Sequence, residues 1–258
     1  MNAADVHSLM ISDLHLCDAR PDLNQAFIAF CSERASCAER LFILGDLSDA
    51  WIGDDDDSAT ADIIREQLAA LVRGGVKVLL MTGNRDFLMG EQLASDCGLT
   101  LLEDPTDISL YGKRMLLMHG DSLCTDDTEY MAFRAQIRNR EAQQQLLMQS
   151  LAQRRAIAAA LRAQSKSANT SKAEDIMDVA QPEVERVMTM HGVDLLIHGH
   201  THRPAIHRFS YVPAHGQQID ATRIVLGDWG DRGWFVKTGA QGCTLHDFTI
   251  TVQEPSCN

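Results

Sequence analysis

The stretch Ser8-Leu9-Met10-Ile11-Ser12-Asp13-Leu14-His15 is a largely apolar run that ends in a carboxylate and an imidazole two positions apart. Alternate residues of an extended chain point the same way, so Asp13 and His15 can address one point in space. The same grammar returns four times. Residues 41–44 lead into Gly45-Asp46, 76–81 into Gly83-Asn84-Arg85-Asp86, 115–118 into His119-Gly120-Asp121, and 195–197 into His198-Gly199-His200-Thr201-His202. Apolar runs without alternation predict strands buried on both faces, as in a parallel sheet covered by other layers. The carboxyl ends of such strands share one rim of the sheet. Residues far apart in sequence are therefore expected to converge there.

The segments between the runs supply the helices. Spacing predicts one helix over 22–38 and another over 58–73 that stops at Gly74-Gly75. Runs at 108–110 and 115–118 flank Gly112-Lys113, which predicts a hairpin and a mixed sheet. Short runs at 223–226, 234–237 and 244–251 suit antiparallel strands, expected as a second layer over the helices. Between 126 and 180 the chain becomes rich in Gln, Ala, Arg and Leu. That segment reads as a helical lid inserted in a single domain spanning 1–258. Leu146, Leu147, Leu151, Ile157 and Leu161 can share a face of it, either packing on the domain or lining a groove. Arg134, Arg138, Arg154, Arg155 and Arg162 are expected to give it a cationic outer face, serving solubility or contact with anionic lipid.

At 258 residues and 45% hydrophobic, the chain can bury a substantial core. Its net charge of -13 argues against broad nucleic-acid binding, which requires a phosphate-neutralising surface. A substrate carrying phosphate must be met by local cations. The run Asp54-Asp55-Asp56-Asp57 is read as a solvated loop in preference to a second cation site. Seven cysteines show no C-x-x-C spacing, and the amino terminus has no basic secretory segment. No apolar stretch approaches the roughly 20 residues of a bilayer span. These features predict a cytoplasmic chain with reduced thiols, no obligate protein partner, and at most peripheral membrane contact.

Taken in order, D-x-H, G-D, G-N, H and G-H-x-H resemble the signature of the calcineurin-like metallophosphoesterase superfamily, over nearly the whole chain. The resemblance implies an α/β sandwich of mixed β-sheets flanked by helices. It also implies one metal held by Asp13, His15, Asp46 and His200, and a second by Asp46, Asn84, His119 and His198. Imidazole and oxygen ligands without thiolate suit Mn, Fe, Co or Zn; the resemblance favours two Mn2+ per subunit. Two ions about 3.5–4 Å apart activate water for in-line attack at phosphorus and hold the attacking and leaving oxygens. Asp46, Asn84, Arg85 and His119 are the catalytic residues this implies, with no side-chain nucleophile.

The superfamily's third motif commonly places His after G-N, where this chain has Arg85. Arginine binds phosphate oxygens in pairs but donates no proton near neutrality. That suits a leaving group that is already a weak base, such as the phosphate monoester expelled from a pyrophosphate. Gly83-Asn84-Arg85-Asp86-Phe87-Leu88 and the stretch 165–179 are similar to segments of the superfamily's lipid A branch. Those hydrolases attack the α-phosphorus of a UDP-linked diacylated glucosamine and release UMP and the diacyl sugar 1-phosphate. The resemblance implies a nucleotide-sugar lipid substrate met by Asn84, Arg85, Asp127, Ser165, Asn169, Lys172 and His198. It also implies peripheral association with the cytoplasmic face of the inner membrane. Composition alone reads 165–172 as a solvated turn between helices. Two rival readings are a phosphoesterase of soluble nucleotides or sugar diphosphates, and a non-catalytic metal-binding scaffold; the scaffold is expected to have lost ligands, and none is missing.

Overall fold

The computed structural model describes residues 6–171, 178–214 and 216–251, and over 166–171 the backbone alone. In chain order the elements are β1 (His7–Ile11), α1 (Pro21–Glu33), β2 (Arg40–Leu44), α2 (Ala59–Arg73), β3 (Lys77–Met81), α3 (Glu91–Cys97), β4 (Thr100–Leu102), β5 (Thr106–Leu110) and β6 (Lys113–Met118). There follow α4 (Thr128–Ile137), α5 (Arg140–Leu147), α6 (Leu151–Ser171), α7 (Gln181–His191), β7 (Leu195–His198), β8 (Ala205–Tyr211), β9 (Ile219–Val225), β10 (Arg232–Gly239) and β11 (Gly242–Thr249). One sheet has the order β11-β10-β1-β2-β3-β4 and the other β5-β6-β7-β9-β8.

Alternation of side chains explains why the strand sequences read as continuous apolar runs. Leu9, Ile11, Leu41, Ile43, Val78 and Leu80 pack with Phe27, Phe30, Ile64, Leu68 and Leu93 of the helices. Their neighbours Met10, Phe42, Leu44 and Met81 point the other way and meet Met115, Leu117, Leu195 and Ile197 of the second sheet. On that sheet's far face Leu116, Met118 and Leu196 pack against Val184, Val187 and Met188 of α7. Each central strand is thus apolar on both sides, and the layers run helix, sheet, sheet, helix. β1, β2 and β3 are mutually parallel, as are β6, β7 and β9, so motif ends from both sheets reach one rim.

Several expectations are corrected. The carboxyl-terminal strands do not form a layer over the helices: β10 and β11 extend the first sheet beside β1, and β9 and β8 extend the second beside β7. Their alternate residues, such as Val236 and Ile224, then enter the core between the sheets. The helix expected over 22–38 ends at Glu33 and gives way to a 3-10 turn at Ala35–Cys37. The hairpin turns on Tyr111-Gly112, both left-handed at φ 51° and 78°, the backbone that matches strand twist in a two-residue turn. Lys113 opens β6. α3, β4 and β8 had no expectation; α3 and β4 are too short to display a period.

The largest correction concerns the arginines of the 126–180 segment, which do not form a cationic outer face. Arg134 Nε donates to Asp121 at 2.9 Å, and Arg138 donates to the Thr82 hydroxyl and carbonyl at 2.7 and 2.9 Å. Arg154, 5% exposed, donates to the Ile52 carbonyl at 2.5 Å and to both Asp55 oxygens at 2.7 and 2.5 Å. Arg155 pairs with Asp57 and Arg162 with Asp49. The acidic run is therefore bound and not simply solvated. Its first member, Asp54, accepts from Trp51 Nε1 at 3.0 Å and from the Gly90 and Leu93 amides at 3.1 and 3.0 Å, closing the start of α3. Guanidinium groups reaching an acidic domain attach α4 and α6, while Leu146 of α5 packs against the core.

Replacing Arg154 with Ala leaves the Ile52 carbonyl without this donor, a loss of about 1.5–3 kcal/mol for charge-assisted bonds. Amide hydrogen exchange across 151–165 is expected to speed up roughly 10–100-fold, with β1 to β3 unchanged. Uniform acceleration, or none, would contradict local anchoring by this arginine.

Candidate metal centre and the adjoining cavity

Among the described residues six non-glycine positions have left-handed backbone, and five of them are Asp13, His15, Asp46, His200 and His202; the sixth is Tyr111 of the hairpin. Such a conformation is costly for a residue with a Cβ and persists where the surroundings over-determine it. Here neighbouring loops stitch it in place. Asp13 N donates to Gly45 O at 3.1 Å, His15 N to Asp46 O at 3.0 Å, Gly199 N to His119 O at 2.9 Å, and Trp229 N to Asp13 O at 2.9 Å. Asp86, fully buried, accepts from the Gly83 and Leu47 amides at 2.6 and 2.7 Å and ties the second motif loop to the third. The motif glycines have a steric reason: a Cβ on Gly83 would collide with the Asp46 carboxylate, and one on Gly199 with that of Asp13.

The side chains converge in two overlapping groups, Asp13 with Asp46 and His119, and Asp13 with His15 and His202. His119 Nδ1 faces the Leu44 carbonyl at 2.9 Å, which leaves Nε2 directed at Asn84 Oδ1, 3.1 Å away, and at Asp46 Oδ1, 3.8 Å away. Asn84 Oδ1 also lies 3.1 Å from His200 Nδ1. Asp46 Oδ1 accepts from the Arg85 amide at 2.8 Å, and Asp13 Oδ2 accepts from the His200 amide at 2.9 Å. His198 stands apart from both groups: its Nδ1 faces the Gly199 carbonyl at 2.9 Å and its Nε2 the buried Arg223 guanidinium at 3.2 Å.

Burial opposes ionisation of Asp13, yet His202, His119 and His15 together hold its carboxyl well below the usual range. Burial, reinforced by the neighbouring Asp13 charge, raises Asp46. Burial also pushes His15 and His198 down to about 4 and His200 to about 3. His119 differs: against its burial, the carboxylates of Asp46, Asp121 and Asp13 lift it to about 9. Buried carboxylates crowded among neutral imidazoles are a cation's donor set. Asp13 Oδ1 and His15 Nδ1, both buried without a hydrogen-bond partner, fit that chemistry directly. The arrangement can hold metal through Asp13, His15, Asp46, His119 and His202, with Asn84 and His200 alongside.

A cavity of about 190 Å³ opens beside this centre. Asn84, Arg85 and Asp127 line its polar end, and Trp51, Phe87, Leu88, Tyr130, Phe133, Leu146, Ile157 and Leu161 its apolar walls. Arg85 Nη2 donates to Ser165 Oγ of α6 at 3.2 Å across its mouth. Asp127 caps α4, accepting from the Tyr130 amide at 3.0 Å. Lys172 and the side chain of Asn169 lie outside the described residues. Of the apolar residues expected to share a face, Leu146, Ile157 and Leu161 line the cavity, whereas Leu147 is 43% exposed and half-buried Leu151 is not among the lining residues. Trp51, Phe87, Tyr130 and Phe133 carried no expectation. The first two follow the second and third motifs within a few residues, and the last two sit three apart on α4, which is the signal that could have found them. Tyr130 is further fixed by donating to Asp121 at 3.0 Å, its ring 5.4 Å from that of His200.

Sheet order and site together define a phosphoesterase, and the calcineurin-like phosphoesterase family model matches residues 7–204: the chain belongs to that family. Its relatives are narrower in kind. The UDP-2,3-diacylglucosamine hydrolase of Cellvibrio japonicus (strain Ueda107) is 53% identical over 95% of this chain and 100% of its own length. Those of Xanthomonas oryzae pv. oryzae (strain PXO99A) and Pseudomonas aeruginosa (strain UCBPP-PA14) are 48% and 50% identical, over 94% and 91% of this chain and 99% and 95% of theirs.

Because a Cβ at position 83 would occupy the space of the Asp46 carboxylate, Gly83→Ala is expected to lower bound metal well below the wild-type amount and to destabilise the chain by about 1–3 kcal/mol. Metal analysis after dialysis and chemical denaturation check the two effects separately. Wild-type metal content in a folded Gly83→Ala chain would refute the steric account.

Proposed function

We propose that the chain hydrolyses the pyrophosphate bond of UDP-2,3-diacylglucosamine to UMP and 2,3-diacylglucosamine 1-phosphate, with two Mn2+ held at the centre described above. The family and the relatives support this reading, and one structural observation carries it. A single cavity begins at Asn84 and Arg85, beside the metal centre, and continues between Trp51, Phe87, Leu88 and the apolar side of α6. Phosphate and hydrocarbon parts of one molecule would both find their chemistry there. Each buried methylene contributes about 0.8 kcal/mol, so acyl chains in such a slot add strongly to binding.

When bound, the two cations supply an activated water and offset charge at the phosphoryl oxygens. Asp46 and Asp13 provide the carboxylates that retain them, while His119, held from behind by the Leu44 carbonyl, presents Nε2 with Asn84 Oδ1 alongside. Arg85 lies at the cavity wall, where its guanidinium can bind two oxygens of the pyrophosphate and offset charge that develops there. Asp127, Ser165, Asn169 and Lys172 are assigned to the sugar and its phosphate; His198, expected as a metal and substrate residue, is buried with its ring nitrogens on the Gly199 carbonyl and Arg223 and takes no such part. The 126–180 segment is read as a lid over the cavity. Work at the cytoplasmic face of the inner membrane belongs to the same reading, supported by Met148 and Leu147, 77% and 43% exposed, near the cavity's apolar walls. Among the described residues no helix is long and apolar enough to cross a membrane.

The test is manganese-dependent release of UMP from the diacylated UDP sugar, compared with its deacylated analogue and a simple phosphodiester. The lipid is expected to be strongly preferred; equal or faster turnover of the diester would reject the substrate assignment. Arg85→Ala is expected to reduce kcat about 10²–10³-fold while both metals stay bound. Loss of metal in that variant would contradict a role in binding phosphate.

A further inference from the structure

Asp121 closes the fourth motif, yet among the described residues it belongs to neither group of candidate ligands. The chain reverses at Gly120, left-handed at φ 115°, and enters a 3-10 turn at Asp121–Leu123 that presents the carboxylate to α4. There Asp121 is fully buried, and its Oδ2 accepts from the Tyr130 hydroxyl at 3.0 Å and from Arg134 Nε at 2.9 Å, with Arg138 Nη2 3.9 Å away. Tyr130, Arg134 and Arg138 follow one another at intervals of four, so they share one face of α4 and its carboxyl-terminal cap. Arg138 also donates to the hydroxyl and carbonyl of Thr82, directly before Gly83-Asn84. One stripe of α4 thus grips the fourth motif at Asp121 and the third at Thr82.

The same helix builds a wall of the cavity. Tyr130 and Phe133 line it with their rings 6.4 Å apart, and Asp127, which caps α4, lines its polar end. Tyr130 belongs to both arrangements, since its hydroxyl is committed to Asp121 while its ring stands in the wall, 5.4 Å from that of His200. α4 has ten residues, of which Ile137 alone is buried. A helix so short is marginal by itself and needs tertiary contacts to fix its place. Apolar burial is non-directional, whereas bonds from a guanidinium and a hydroxyl to one buried carboxylate set both distance and angle. Asp104, which precedes β5, adds a second carboxylate 3.7 Å from Arg134 Nη2.

We propose that Asp121 is a positioning residue for the substrate cavity: through Tyr130 and Arg134 it sets α4, and with it Phe133 and Asp127, at a fixed place beside the metal centre, and so tunes the preference for a substrate that carries hydrocarbon chains. The inference rests on the substrate reading above and deepens it. Asp121 itself meets neither metal nor substrate. Its loss is expected to change what the cavity accepts while the ligand loops, held by their own backbone bonds, keep their metal.

The test uses the full chain with Mn2+ and follows UMP release from the diacylated UDP sugar and from its deacylated analogue, for the wild type, Asp121→Ala, Asp121→Asn and Arg134→Met. Asp121→Ala is expected to raise KM for the diacylated substrate about tenfold and to narrow the preference for it over the analogue by about the same factor, with kcat within about threefold and Mn2+ content unchanged. Arg134→Met, which keeps the apolar stem without the donor, should move both quantities in the same direction and serves where Asp121→Ala does not fold. Asp121→Asn, which keeps an acceptor oxygen, should recover most of the loss. Wild-type KM and wild-type acyl preference in folded Asp121→Ala or Arg134→Met would overturn the proposal, however far stability fell. Loss of Mn2+ from Asp121→Ala would overturn it as well, by placing this carboxylate in the metal centre. A wild type with no preference for the diacylated sugar would instead bring down the substrate reading. Amide exchange across 128–138 then judges the anchor, with acceleration of about 10–100-fold expected in Asp121→Ala and unchanged exchange counting against it.

Discussion

A strand that must deliver two chelating side chains at its end has to stop being a strand, and it must do so without swinging its carboxylate out into water. The backbone solution here is a left-handed residue at the candidate ligand itself, at Asp13, His15, Asp46, His200 and His202. Each such residue is strained in isolation. Amides of one motif loop therefore donate to carbonyls of the next, and Asp86 accepts from two loops at once. The glycines of the G-D, G-N and G-H motifs follow from the same crowding, since the space a Cβ needs is occupied by a neighbouring carboxylate or imidazole. Removing that mutual support would relax the backbone before it altered any single ligand.

How much of this was readable in advance depends on how each feature is written in the chain. β1, β2, β3, β6 and β7 announce themselves because both of their faces are buried, so their central residues are apolar and the motif follows at once. Hydrophobic patterning reports burial, and short or edge elements such as α3, β4 and β8 have little of it. The direction of a long cationic side chain leaves no mark in periodicity either. Arg154 and Arg155 sit where a helical wheel permits an outward face, yet their partners, Asp55 and Asp57, lie about a hundred residues earlier, in a run that also read as solvent-exposed. Each half looked like a surface feature because its complement was elsewhere. His202 was hidden differently: it lies inside a quoted motif, but which of three closely spaced imidazoles faces which group is a matter of loop geometry.

The polar contacts that attach α4 and α6 also shape the cavity. An apolar seam between these helices and the domain would have closed the slot with side chains. Attachment instead runs through guanidinium groups at Arg138, Arg154, Arg155 and Arg162, of which Arg154 and Arg162 themselves border the cavity. Trp51, Phe87, Phe133 and Leu161 are left facing unfilled space. Such a seam is polar, partly exposed and screened by salt, whereas the sheet core is neither. The structure accordingly separates the sheets that carry the candidate metal centre from helices attached in part by weaker, salt-screened bonds.

Charge completes the same picture. The chain is acidic overall, yet at the centre the carboxylates of Asp13 and Asp46 are buried beside imidazoles that burial keeps neutral. Burying carboxylates in this way is unfavourable unless they are compensated, and among the protein groups here His202 and His119 answer part of that need. The guanidinium of Arg85 is turned to Ser165 and the cavity, and that of Arg223 to His198, so neither neutralises Asp13 or Asp46 through its side chain. The two strong cationic side chains nearest the centre are thus directed at its periphery. What remains in the middle is a set of oxygen and nitrogen donors whose negative charge calls for small, hard cations, while the arginine at the cavity wall is left available for an anion. That division of labour follows from which loops the glycines allow to touch, and it assigns opposite charges to the two halves of a single site.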